Sequence, residues 1–226
     1  MIPSLGSAAW LVARKDLTIE FRTRTAFLSS IVFAVLGLAV FYFAWSPSAV
    51  AAIDLAPGVL WVIFVFASML SVQRSFGVEM PDRPIDALLV TPIDREAIYL
   101  GKAIANVVFV GAVQAVAIPA AILFYGLPVQ HLPTLFGVAL LATIGMVAIG
   151  TLFASMAVNT RLAELLLPML SLPFFMPIVM AAGTITQRVV TGRPFSESVA
   201  WLKMLIAFDI VFSTACALAF PLTLEE

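Results

Sequence analysis

RSFGVEMPDRPIDALLVTPIDREAIYLGK, residues 74–102, decides how this chain is read. It carries Arg74, Glu79, Asp82, Arg83, Asp86, Asp94, Arg95, Glu96 and Lys102, while the runs flanking it are apolar and almost free of charge. A membrane span needs about 20 predominantly apolar residues, and charges this dense do not stay in hydrocarbon without partners. The stretch is therefore the water-facing surface of a membrane protein, and the rest of the chain is its membrane part.

Composition agrees. Of 226 residues, 62% are apolar and 11% charged, against roughly half and a quarter in a soluble domain. An all-α polytopic membrane protein fits, with the whole chain 1–226 forming one transmembrane unit. The net charge of −1 sets up no field toward nucleic acid, which is not expected as a partner. The single cysteine, Cys216, excludes an internal disulfide and a multi-cysteine metal site. No compact apolar core ahead of a cleavage site opens the chain, so no cleavable signal is expected.

Six spans can be drawn outward from the charged stretch: Ala26–Trp45, Gly58–Val72, Gly101–Tyr125, Leu132–Val158, Leu162–Gly183 and Val199–Phe220. Before them, residues 1–25 mix Trp10, Leu11, Ile19 and Phe21 with Arg14, Lys15, Asp16, Glu20, Arg22 and Arg24. This is too charged to span and reads as a helix lying in the membrane interface; a frayed basic tail is the plainer alternative. Lys and Arg bias then orients the chain. With the N-terminus in the cytoplasm, the inner side holds Arg14, Lys15, Arg22, Arg24, Arg74, Arg83, Arg95, Lys102 and Arg161, and the outer side Arg188, Arg193 and Lys203. Both termini and the loop 73–101 are therefore expected inside, and 46–57, 126–131 and 184–198 are the expected outer loops.

Within the inner loop, Asp82-Arg83-Pro84 looks like a helix start, with a capping carboxylate and proline in the first turn. Ile85, Leu88 and Leu89 then share one face at i, i+3, i+4 spacing. Thr91-Pro92 ends this helix and starts a second, with Asp94 placed to reach back as a cap. The second helix carries Arg95, Glu96 and Lys102 into the third span. An apolar face with the rim Glu79, Asp82 and Asp86 suits a partner protein's groove. The competing reading rests the helix on the bilayer, and acidic residues disfavour that at an anionic surface.

Inside the membrane, three features stand out. Pro168, Pro173 and Pro177 fall within the fifth span, which should be kinked or broken and packed among other helices; it is either a tolerated kink or the moving element with two packings. Gly137, Gly145 and Gly150 in the fourth span allow close packing within the subunit. Asp209 sits near the middle of the sixth span, in LIAFDIVF, and should face the bundle interior and either pair or protonate. Asn106 and Gln114 of the third span are candidate partners for it. A structural hydrogen bond between helices competes with a role in a transport path.

Catalytic chemistry is absent from the pattern. There is no GxxxxGK[ST], no HExxH and no CxxCH, so no catalytic residue, no metal site and no intrinsic ATP hydrolysis are expected. His131, in a short loop, could ligate haem iron but reads as a solvated loop histidine. Met169, Met176 and Met180 are gap fillers first. Arg161 and Glu164 should pair at the cytoplasmic edge or equally form part of the partner-facing surface.

Together, several segments resemble the CcmB proteins, the haem-exporter permease family of cytochrome c biogenesis. They are ARKDLTIEFRTRTAF, LAPGVLWVIFVFASMLSVQRSFGVE, DALLVTPIDREAIYLGKAIAN, IGTLFASMAVNTRLAELLLPMLSLPFFMPIVMAA and AFDIVF. The likeness runs nearly end to end. It departs at Asp82-Arg83-Pro84, where the family usually shows an acidic-glycine turn. The resemblance implies an ABC-2-type permease architecture in a bacterial inner membrane, with an interfacial helix before the first span. It also implies a separate CcmA-like ATPase docked on the loop between spans two and three. CcmC- and CcmD-like membrane partners and a CcmE-like periplasmic haem chaperone are implied with it. Haem is then the transported or handled species rather than a bound cofactor. Two alternatives stay open at this point: a non-transporting scaffold subunit of the same complex, and an ABC-2 permease for a drug or lipid.

Overall fold

The structure is a computed structural model and describes residues 4–45, 51–77, 94–157 and 163–224. Seven α-helices run through the described residues: α1 (Leu5–Thr23), α2 (Thr25–Ala44), α3 (Ala52–Gly77), α4 (Arg95–Tyr125), α5 (Leu132–Ala157), α6 (Ala163–Val190) and α7 (Val199–Ala219). Short 3-10 turns precede α5 (Val129–His131), precede α7 (Phe195–Ser198) and follow it (Phe220–Leu224). Among the described residues there is no strand, and six helices are long and apolar enough to cross a membrane. This is an all-α, multi-pass membrane protein.

The arrangement follows from where each helix is apolar. α3 and α5 are the most enclosed spans, and α2 and α7 the least. Leu28, Val32, Leu36 and Val40 put a stripe of exposed apolar side chains along α2, the surface a lipid-facing helix presents. In the core, buried polar groups find partners, as they must away from water. Trp61 Nε1 donates to Thr186 Oγ1 (3.1 Å), Gln114 Nε2 to Thr143 Oγ1 (2.7 Å) and the Tyr125 hydroxyl to Leu38 O (2.9 Å). These bonds tie α3 to α6, α4 to α5 and α4 to α2.

Several expectations change. α3 begins at Ala52 rather than Gly58, with Pro57 inside the helix. α6 runs on to Val190, with Gly183 inside the helix, where an added Cβ would lie 3.5 Å from Trp61 Cδ1. Of the kink or break expected at Pro168, Pro173 and Pro177, no break is seen: all three lie within one continuous helix. Each proline removes one ladder bond, and buried Leu167, Phe175 and Ile178 anchor the helix on both sides of them. α6 packs among α3, α5 and α7, as expected, while Met169, Met176 and Met180 line its exposed face. Asp94 does not cap from within the first turn. It occupies the position before Arg95 and makes no side-chain cap bond.

Candidate functional site

The start of α4 is where the architecture converges. Ala97 and Gly101 form a small-residue seam against Ala8, Ala9 and Val12 of α1. A Cβ on Gly101 would lie 2.6 Å from Val12 Cβ and 2.7 Å from Ala9 O, so only glycine permits this crossing. Small residues allowing backbones to meet are the general device for helix association in membranes. α1 therefore lies against α4 and turns Trp10, Leu11, Ile19 and Phe21 outward.

Its acidic residues point the other way. Glu20 pairs with Arg74 in the last turn of α3 at 2.8 Å. Asp16 accepts from Lys102 of α4 at 3.4 Å and pairs with Lys15 at 3.1 Å. Lys102 is 0% exposed, and its Nζ also donates to Ser75 O at 2.9 Å and sits 4.7 Å from the Phe76 ring centroid. The Arg74 guanidinium lies 5.6 Å from the Phe109 ring centroid. A buried ammonium is tolerated only when paired and hydrogen-bonded, and here a carboxylate, a carbonyl and a ring supply that setting.

Further contacts extend the junction. Arg95 Nη1 donates to Pro221 O (3.1 Å), and the Tyr99 hydroxyl donates to Ala148 O of α5 (3.1 Å). Tyr99 and Phe220 rings lie 5.2 Å apart, and Ser155 and Thr223 hydroxyls meet at 2.9 Å. The last turn of α3, the first turns of α4, the end of α5, the C-terminal turn and α1 thus form one connected end of the bundle. Residues 78–93 leave from Gly77 and return at Asp94, both beside this junction. Glu79, Asp82, Ile85, Asp86, Leu88 and Leu89, and the helix expected over Pro84–Val90, lie outside the described residues. So does Arg161, the expected partner of Glu164.

Sequence reading took Arg74 and Lys102 for parts of a solvated loop surface. They are instead the internal counter-charges of α1. The available signal was a mixed-sign amphipathic segment before span one, with Gly101 adjoining a lysine at the start of span three.

Asp209 forms a second polar centre, away from the first. It is 4% exposed on α7, between Gly145 of α5 and Ile178 of α6. A Cβ on Gly145 would run into Asp209 Oδ1, so this glycine makes room for the carboxylate. Among the described residues neither carboxylate oxygen has a hydrogen-bond partner. The expected partners are engaged elsewhere. Asn106 accepts from Ser71 Oγ (2.7 Å) and donates to Lys102 O (2.9 Å), and Gln114 is taken up by Thr143 and Ala139 O. Both point from α4 toward α3 and α5, whereas Asp209 meets α5 and α6.

His131 contacts Gln130 at 3.2 Å in the turn before α5. Among the described residues no three His, Cys, Asp or Glu side chains converge in a way that could hold a metal ion.

Comparison with known proteins bears on the whole chain. The family described as CcmB protein matches residues 7–226. A protein named heme exporter protein B from Pseudomonas aeruginosa is 26% identical over 203 residues, covering 90% of this chain and 91% of the relative. Proteins of the same name from Rhodobacter capsulatus and Haemophilus influenzae are 27% and 24% identical. They align with 90% and 95% of this chain, and with 95% and 98% of their own lengths.

Proposed function

Because this chain belongs to the CcmB protein family, we propose that it is the membrane permease subunit of an ABC-type complex that supports haem export during cytochrome c maturation. The chain carries no phosphate-binding loop of its own, so ATP hydrolysis falls to a separate CcmA-like subunit. CcmC- and CcmD-like membrane proteins complete the assembly, which delivers haem to a CcmE-like periplasmic chaperone and releases the loaded chaperone. The complex sits in the bacterial inner membrane with both termini of this chain in the cytoplasm. In support of that orientation, Arg74, Arg95, Lys102 and the basic residues of α1 gather at one end of the bundle, with Arg188 and Arg193 at the other.

One observation carries the mechanism: the two ends of segment 78–93 adjoin Arg74 and Lys102, and both are tied to α1. In this reading the ATPase grips the segment through Ile85, Leu88 and Leu89, with Glu79, Asp82 and Asp86 around them. A displacement there reaches α3 and α4 directly. It passes to α1 through the two ion pairs, to α5 through Tyr99, and to the C-terminal turn through Arg95 and Phe220. Coupling of this kind needs an element with two packings. α1 is suited to that part, because charged contacts and a small-residue seam hold it rather than deep burial of large side chains. The interfacial position of α1 belongs to the same proposal, supported by its outward Trp10, Leu11, Ile19 and Phe21.

Deleting the gene in its own host tests the function. Haem-stained c-type cytochromes should disappear while b-type cytochromes remain, and a plasmid copy should restore them. Undiminished c-type haem staining in the deletion strain would sink the proposal.

A further inference from the structure

At the end of the bundle opposite the α1 junction lies a polar cavity of about 560 Å³. Asp54 lines it from the start of α3, and Thr184, Gln187, Arg188, Thr191 and Arg193 line it from the end of α6 and the turn beyond. Thr184, Gln187, Arg188 and Thr191 stand at i, i+3, i+4 and i+7, so they share one helix face. Glu197, in the turn before α7, gathers the two guanidiniums: Arg188 Nη1 donates to its backbone oxygen, and Arg193 Nη1 lies 4.0 Å from its carboxylate. The Thr184 and Thr191 hydroxyls already donate to carbonyls of α6. Donors toward a ligand are therefore the remaining guanidinium N–H groups and the Gln187 amide. One turn from Thr184 toward the membrane centre, the exposed face of α6 continues through Met180, Met176, Leu172 and Met169. The lipid-facing stripe of α2 is Leu28, Val32, Leu36 and Val40 instead. Methionine thioethers adapt to a guest and make favourable contacts with aromatic ring edges.

We propose that this end of α6 is a docking strip for haem, with the two propionate carboxylates on Arg188 and Arg193 and the ring against Met180 and Met176. The identity of the ligand rests on the haem-export reading, and the proposed topology puts the strip on the periplasmic side. Its chemistry rests on the cavity and the methionine face. From Met180 to Arg188 is about 12 Å along the helix axis, so a ligand touching both is apolar at one end and anionic at the other. Guanidiniums form paired N–H bonds to carboxylates, and two of them brought to one residue suit a dicarboxylate. Binding disturbs little of what is there. Arg188 keeps Nη1 on Glu197 O and offers Nε and Nη2. Arg193 leaves the Glu197 carboxylate, a long pair whose side chains are 62% and 49% exposed, and such pairs are worth little. Asp54, exposed on α3 across the cavity, opposes an anionic ligand; solvent screens that repulsion, so it loosens binding without forbidding it. A site of this kind holds its guest weakly and passes it on.

The test titrates haem into the full-length chain in phosphatidylcholine nanodiscs and reads the haem absorbance band against empty discs. Haem dimethyl ester, which keeps ring and iron and loses both carboxylates, is titrated in parallel. Haem should bind the wild-type chain about tenfold more tightly than the ester does, the worth of one charge-assisted contact beyond the ring. Arg188→Gln/Arg193→Gln should bring haem down to the affinity of the ester and leave the ester unchanged. Asp54→Asn touches neither arginine and should tighten haem binding about twofold, the scale of an exposed charge interaction. Equal affinity of haem and ester for the wild-type chain overturns the proposal without any substitution, and so does unchanged haem binding in the double arginine variant. If Asp54→Asn weakens binding, the cavity holds a zwitterion such as a phospholipid headgroup and the proposal fails. Each of these failures would leave the haem-export reading standing, because loss of c-type cytochromes in the deletion strain decides that separately.

Discussion

Replacing Lys102 with methionine probes the junction at its most enclosed point. The substitution keeps an unbranched side chain and removes only the ammonium, which lies 2.9 Å from Ser75 O, 3.4 Å from Asp16 Oδ2 and 4.7 Å from the Phe76 ring centroid. Removing one member of a buried pair costs about 3–5 kcal/mol. Asp16 retains Lys15 at 3.1 Å and its side chain is 15% exposed, so the expected loss lies at the low end, about 3 kcal/mol. Asp16→Leu removes the carboxylate beside the buried ammonium instead and should cost about as much. Removing both charges together is often neutral, so Lys102→Met/Asp16→Leu should be more stable than either single variant. Lys15→Met is the control, because that side chain is 38% exposed and exposed pairs contribute about 0–1 kcal/mol. Reversible unfolding of the purified protein in mixed micelles, followed by tryptophan fluorescence, gives the four free energies. If the double variant loses the sum of the two singles, Lys102 and Asp16 are not coupled, and α1 is not held as described.

Two other outcomes follow from named contacts. Gly145→Ala places its methyl against Asp209 Oδ1 and 3.0 Å from Ile178 Cδ1, which should cost about 1–3 kcal/mol of stability. Adding Asp209→Ala should recover most of that in the same unfolding assay, and an additive loss would show that the carboxylate is not what fills the space. For orientation, a cysteine at Gln130 should react with a membrane-impermeant maleimide on intact cells, and one at Ser7 only after permeabilisation. Both positions are exposed, and the native Cys216 is buried and contributes little background. The reverse labelling pattern would invert the proposed topology.

Much of the fold is written in hydropathy. α2, α5 and α7 fall within a residue or so of the spans read from the sequence, because turn residues bracket long, predominantly apolar runs there. Where the reading slipped, a single residue carried two meanings. Pro57 and Gly183 look like terminators, yet Pro57 lies within the early turns of α3 and Gly183 lies within α6, facing Trp61 of α3. The candidate site was less legible. Charge type and count in residues 74–102 are plain, but a one-dimensional pattern does not say which neighbour a charge faces. Arg74 and Lys102 are solvated loop charges if α1 lies apart from the bundle, and buried counter-ions once Gly101 lets α1 close on α4. Asp209 shows the same limit: its burial could be read from its position in the span. Its neighbours depend on which helices meet, and α7 packs on α5 and α6 rather than on the polar face of α4.

The proposed coupling has an ATPase subunit drive this bundle through segment 78–93. Co-purification tests it most directly: tag the chain, solubilise the native complex gently, and quantify the ATPase subunit recovered with wild type and with Leu88→Asp/Leu89→Asp. The wild-type chain should retain the ATPase and the double variant should lose it, with membrane insertion unchanged. Equal recovery of the ATPase with both would contradict it.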